Sequence, residues 1–194
     1  VKEEGGNLIL TANYKLGNLD KAQWTIHPDG MATLDYTYNF SGVVDLMGIC
    51  FDYPEEQVLS KRWLGAGPYR VWQNRIHGAQ YDIWENDYND PIPGETFTYP
   101  EFKGYFGSVS WMSIRTKEGT ISLTNETPDF YIGVYQPRDG RDRLLYTLPE
   151  SGISVLNVIP PVRNKVNSTD LCGPSSQPKW VDGPQTGRLV LRFE

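Results

Sequence analysis

Ten residues constrain this chain more than any others. From Met31 to Phe40 the side chains alternate, with Ala32, Leu34, Tyr36, Tyr38 and Phe40 in one set and Met31, Thr33, Asp35, Thr37 and Asn39 in the other. Period two sustained over that length sets an apolar face against a core and a mostly polar face against water, which is the signature of a half-buried β-strand. His27-Pro28-Asp29-Gly30 stands just before it, with Pro, Asp and Gly in turn positions. Residues 21–26 read as a strand on the other side of that turn, so a hairpin is expected here.

The same rhythm runs along the chain. Residues 7–14, 43–53, 79–85, 107–115, 119–124, 130–135, 153–159 and 186–193 all read as strands. Lys61-Arg62-Trp63-Leu64 reads as a short strand that Gly65-Ala66-Gly67-Pro68 brings to an end. Pro91 to Pro100 and Pro160 to Pro184 read as long connections in which prolines and glycines oppose any regular element. The aromatic content (6 Trp, 12 Tyr and 7 Phe) and the spread of 19 Gly and 14 Pro favour strands and turns over helices. No segment shows a helical period, no repeat is visible, and no linker divides the chain. A single all-β sandwich domain spanning residues 1–194 is expected.

Charge and cysteine usage narrow the function classes. A net charge of −6 opposes binding to nucleic-acid phosphates or anionic membranes and is compatible with neutral partners such as sugars. No stretch approaches the ~20 apolar residues of a membrane span. Cys50 and Cys172 lie outside any metal-ligand spacing, so no metal or other cofactor is expected. Both are expected as buried thiols, with a disulfide as the alternative in an exported protein. The chain starts at Val1 rather than Met, which points to a piece cut from a longer protein.

Two kinds of sugar chemistry bear on these residues. Hydrolysis of a glycosidic bond needs two carboxylates roughly 5–9.5 Å apart. Acids such as Glu85, Asp87, Asp90, Glu95 and Glu101 lie in turn-rich stretches, where solvated charge is the ordinary reading. Only His27 and His77 are available for histidine chemistry, and no nucleophile or phosphate-binding motif is present. Sugar binding asks for flat aromatics beside planar polar groups. The stretch from Trp63 to Trp84 supplies Trp63, Tyr69, Trp72, Tyr81 and Trp84 with Arg70, Asn74, Arg75 and Asp82, although a core or interface role for its tryptophans competes with that reading.

The run Arg62-Trp63-Leu64-Gly65-Ala66-Gly67-Pro68, continuing to Gln73-Asn74-Arg75, resembles a Trp-x-Gly-x-Gly-Pro stretch with a downstream Arg. That stretch belongs to the last domain of family 2 β-galactosidases. The upstream hairpin, Gly48-Ile49-Cys50-Phe51 and Tyr99-Pro100-Glu101-Phe102 fall in the matching order, so the likeness spans roughly residues 20–115. It departs at Tyr69-Arg70-Val71-Trp72, where the family carries a Gln/His-Glu-Asn-Tyr run, so the likeness does not extend to the exact sugar.

The resemblance implies a galactose-mutarotase-like antiparallel β-supersandwich. It also implies that the catalytic glutamates reside in a separate barrel of the same polypeptide, and no catalytic residue maps here. It implies a role supporting that barrel and contributing to the leaving-group subsite for an oligosaccharide substrate, in a bacterial periplasm or outside the cell, with the cytoplasm as the alternative. A late loop carrying Arg163, Asn164 and Trp180, together with Trp72 and Arg75, is the expected substrate contact. The Trp63–Arg75 segment is further expected to mark a domain interface. An independent carbohydrate-binding module is the rival reading, and it requires an exposed platform among Trp72, Trp84, Trp111 and Trp180. An aldose epimerase is a weaker rival, since it wants a His acid and a Glu base in one cleft.

Overall fold

The computed structural model describes residues 1–87, 104–126, 130–134, 152–161 and 171–194. Fourteen strands lie among them: β1 (Lys2–Glu4), β2 (Asn7–Asn13), β3 (Leu19–Ile26), β4 (Met31–Asn39), β5 (Gly42–Val44), β6 (Met47–Phe51), β7 (Val58–Val71), β8 (Gln80–Asn86), β9 (Tyr105–Thr116), β10 (Thr120–Asn125), β11 (Tyr131–Val134), β12 (Ile153–Val158), β13 (Lys179–Val181) and β14 (Pro184–Phe193). Single 3₁₀ turns occur at Glu55–Gln57 and Pro174–Ser176, and every strand pairing is antiparallel. The fold is all-β, as the alternation implies.

Twelve strands form one hydrogen-bonded path, β1-β2-β3-β4-β14-β10-β9-β11-β12-β6, with β7 and β8 branching from β9. The path curls on itself into two layers. Trp24 of β3 meets Phe51 of β6 edge to face, ring centres 6.3 Å apart, and the Tyr38 hydroxyl of β4 donates to Asn157 Oδ1 of β12. Elements distant along the path therefore face each other. The fork lies in β9. Its second half pairs with β10, and Phe106 near its start pairs with Ile132 of β11. Between the halves Ser108 takes φ 46°, a left-handed conformation, and the strict alternation of buried and exposed side chains is interrupted around it.

The core fills the space between the layers. Ala32, Leu34, Tyr36 and Tyr38, the expected inner face of β4, are all buried. Against them pack Leu189 and Leu191 of β14, Leu123 of β10, Met112 and Ile114 of β9, and Val155 of β12. A satellite cluster joins Val71, Trp72, Tyr105, Leu156 and Ile159.

Tyr36 and Tyr38 stack with ring centres 5.9 Å apart. Burial pushes the Tyr38 hydroxyl from its ordinary 10 up to about 12. Burial, and secondarily Tyr38, raises Tyr36 as well. The fold thus favours the neutral phenols. Their contribution to stability is complete below the unfolded value near 10 and is lost as pH rises through the folded one. The urea midpoint is expected to hold up to about pH 10 and to fall between about 10 and 12. A Tyr36→Phe/Tyr38→Phe variant with an undiminished alkaline fall would place the cause elsewhere.

Three sequence expectations need correction. First, β7 runs straight through Gly65-Ala66-Gly67-Pro68. The last residue paired with β8 is Gly67, and pairing with β9 jumps from Ala66 to Val71, so the missing N–H of Pro68 breaks no ladder bond. Second, residues 43–53 are two strands with a bend at Asp45, and β5 leaves to pair with β13. An unbroken apolar run does not reveal such a division. Third, Cys50 is exposed and Cys172 half-buried, and no disulfide joins them. Pro91 to Pro100 falls outside the described residues.

Candidate functional site

Residues 171–184 of the late segment hold a regular element that its proline and glycine content does not suggest. Lys179, Trp180 and Val181 form β13 and pair with Val44, Val43 and Gly42 of β5 in a two-stranded ribbon separate from the main sheet. The ribbon is closed at its base. Ser41 Oγ donates to Asp182 Oδ1 at 2.8 Å and accepts the Gly183 N–H at 3.0 Å. Directly paired residues project from the same face of a sheet. Trp180 and Val43 therefore stand together, 70% and 59% exposed. Leaving such side chains in water forgoes about 1.5–3 kcal/mol each. An indole held on a hydrogen-bonded ribbon and kept open to solvent is suited to stacking on a flat apolar surface such as a sugar ring.

The Trp72–Arg75 segment is a tight turn, with the Arg75 N–H donating to Trp72 O at 2.8 Å. It docks on the late segment through side-chain amides. Gln73 Nε2 donates to Ser175 O at 3.0 Å and to Gln177 O at 2.8 Å, and Asn74 Nδ2 donates to Ser176 Oγ at 2.9 Å. The turn of the resemblance motif and the segment leading into β13 are thereby one unit. Gln73 and Val43 were missed as contributors, and Asn74, expected as a planar polar group for a sugar, instead bonds Ser176. The signal for Gln73 was present, because planar amides inside a short turn commonly bridge to neighbouring backbone.

The other expected contacts separate. Trp72 is 2% exposed and meets Tyr105 edge to face at 5.7 Å. A ring so enclosed offers no face to a sugar, which corrects its assignment as a substrate contact. Arg75 is exposed beside it. Arg163 and Asn164 lie outside the described residues. Within the expected interface segment Trp63 and Trp72 are buried, whereas Tyr69 is exposed. Of the four indoles that a free-standing module requires as a platform, Trp84 and Trp111 are half-buried and Trp180 is open.

Acid–base groups do not converge among the described residues. His27 Nε2 lies 3.1 Å from Thr33 Oγ1 on the outer sheet face, and His77 is exposed in the connection after the Trp72–Arg75 turn. Glu85 and Asp87 are exposed, and Asp90, Glu95 and Glu101 lie outside the described residues. Asp35 receives two bonds from Arg188, Nε at 2.6 Å and Nη2 at 3.1 Å, and that partnership raises the guanidinium above its ordinary value. The pair is exposed between β4 and β14, where solvent screens it, and it is a surface ion pair rather than catalytic machinery. No group of three or more His, Cys, Asp or Glu suited to a metal ion occurs among the described residues. No described helix is long and apolar enough to cross a membrane.

No family model matches the chain, and no curated protein matches it. A solved structure does align. The GalM/aldose epimerase homologue from C. elegans covers 100% of this chain and 67% of its own, at 9% identity and a TM-score of 0.39. A likeness that loose carries no argument about chemistry.

Proposed function

We propose that this chain is a non-catalytic, carbohydrate-handling domain that works beside the catalytic barrel of a β-galactosidase-like glycoside hydrolase and contributes to the subsite for the leaving-group sugar. The observation that carries this reading is Trp180, 70% exposed on a ribbon fixed by backbone pairing and by the Ser41–Asp182 bond. The likeness of Arg62–Arg75 to the β-galactosidase motif supports it, because that run ends in the turn docked on the segment leading to Trp180. The domain supplies an apolar platform, and bond cleavage belongs to carboxylates elsewhere in the polypeptide.

Trp180→Ala in the whole enzyme tests the reading. Stacking on an indole contributes about 0.5–1.5 kcal/mol beyond its buried area. Roughly tenfold loss of kcat/KM is therefore expected with an oligosaccharide, about 1.4 kcal/mol per decade. An aryl glycoside, whose leaving group does not reach that subsite, keeps its kinetics. Equal losses on both substrates, or none on either, overturn the assignment. The exposure of Trp180 also favours a second reading, a free-standing carbohydrate-binding module. Calorimetry on the separate chain distinguishes the two, since only the module binds oligosaccharide unaided.

A further inference from the structure

A cleft of about 440 Å³ opens between the layers at the end of β4, away from the face that carries Trp180. Its walls are Leu19, Phe40, Val44, Met47, Ile49 and Leu156. Val44 belongs to the ribbon but neighbours Val43 in sequence, so the two point to opposite faces of β5. The volume falls in the range of about 300–1,000 Å³ typical of small-molecule sites, and apolar walls with a few polar groups are their usual lining.

Those polar groups are specific. Met47, Gly48, Ile49 and Cys50 all line the cleft although their side chains alternate between faces, the pattern of a strand that meets it with its edge, and Leu156 reaches the same space across Gly48, which has no side chain. Among the described residues β6 pairs with β12 alone. Its other edge therefore turns backbone N–H and C=O groups toward the cleft. The outer layer treats its edges differently. β1 is Lys-Glu-Glu, and on β8 the Asp82 carboxylate takes the Ile83 N–H at 2.7 Å. Charge and side-chain capping of that kind blunt an exposed edge, and β6 carries neither. Asn18 and Tyr38, whose O–H is given to Asn157, add an amide and a phenol oxygen to the lining, and its described residues include no Lys, Arg, Asp, Glu or His.

We infer that this cleft is a second binding site, taking a small uncharged molecule with an alkyl or aryl body and a hydroxyl or amide end that bonds the free edge of β6. A charged ligand would lose hydration and find no countercharge among the described lining residues, at a cost of several kcal/mol that backbone hydrogen bonds only partly offset. This inference does not depend on the carbohydrate reading.

Cys50 lines the cleft and is exposed, so it reports occupancy. The probe is 1-octanol, with octanoate as the charged molecule of equal chain length. N-ethylmaleimide labelling is followed by mass spectrometry at Cys50 and at Cys172, which is not part of the lining. Octanol is expected to slow Cys50 labelling at least fivefold, to leave Cys172 unaffected and to raise the unfolding temperature, as a ligand of the folded state must. Octanoate is expected to do neither. Val44→Asp places a carboxylate in the wall and abolishes protection. If that variant does not fold, Val44→Thr weakens protection while keeping the shape. Unchanged Cys50 labelling up to the solubility of octanol, equal protection by octanoate, or protection that survives the folded Val44 variant overturns the site.

Discussion

Trp63→Ala is expected to destabilise the fold by ~3–5 kcal/mol, the usual cost of truncating a large aromatic in a core that cannot collapse around the gap. Trp63 is 1% exposed at the centre of β7, paired with Met112 of β9 on one side and Trp84 of β8 on the other. Its ring meets Phe106 at 4.6 Å and 61°, and its Nε1 donates to Ala66 O at 3.3 Å. The urea midpoint should drop with an unchanged slope, whereas Trp180→Ala should move it by less than ~0.5 kcal/mol, as surface substitutions do. A loss under about 1 kcal/mol at Trp63 would mean that the motif's first tryptophan is not the structural anchor described here.

Gly48→Ala is the second large effect. A Cβ at Gly48 would lie 2.2 Å from Val155 O and 2.6 Å from the Leu156 Cα, both backbone atoms of the paired strand. Backbone inside a ladder cannot withdraw as a side-chain tip can, so β6 must separate from β12. Overpacking of this kind costs about 1–3 kcal/mol or more. Amide exchange in β6 and β12 is expected to quicken, and the Cys50 Sγ bond to Ser154 Oγ is expected to be lost. Gly173→Ala, with nothing within 4 Å of its Cβ, is the matched control. Indistinguishable exchange and stability in the two variants would contradict the close approach of β6 and β12.

The parts of the fold legible in the residues are those governed by local periodicity. The inner face of β4 follows from alternation alone, and the His27–Gly30 turn from its Pro, Asp and Gly. What local pattern could not show was pairing between remote segments. β13 is three residues in a stretch rich in proline and glycine, and only its pairing with Val43 and its neighbours makes it a strand. The continuity of β7 through Pro68 was hidden for a related reason, since whether a missing N–H matters depends on a neighbour that the local sequence does not name. At the candidate site Trp180 was legible as an aromatic with little around it to pack on. Trp72 was not distinguishable from it, because an indole that fills a core and one that awaits a ligand look alike until their neighbours are known.

The position of β14 governs how the molecule is built. It inserts between β4 and β10, matching Asn39 to Pro184 through Met31 to Arg192 on one side and Ile121 to Phe193 through Asn125 to Leu189 on the other. During synthesis on the ribosome both flanking strands emerge well before it, and each presents an unpaired backbone edge until the segment ending at Phe193 arrives. Non-local pairing of this kind is slow, and open edges are the places where nascent chains join the wrong partner. The β4 edge carries Thr33 and Thr37 with the single charge of Asp35, a weak guard for a long strand. Yield in a producing cell should therefore depend less on the strength of the finished core than on the interval between translation of Met31 and of Phe193, and slower growth or a holding chaperone would act on that interval directly.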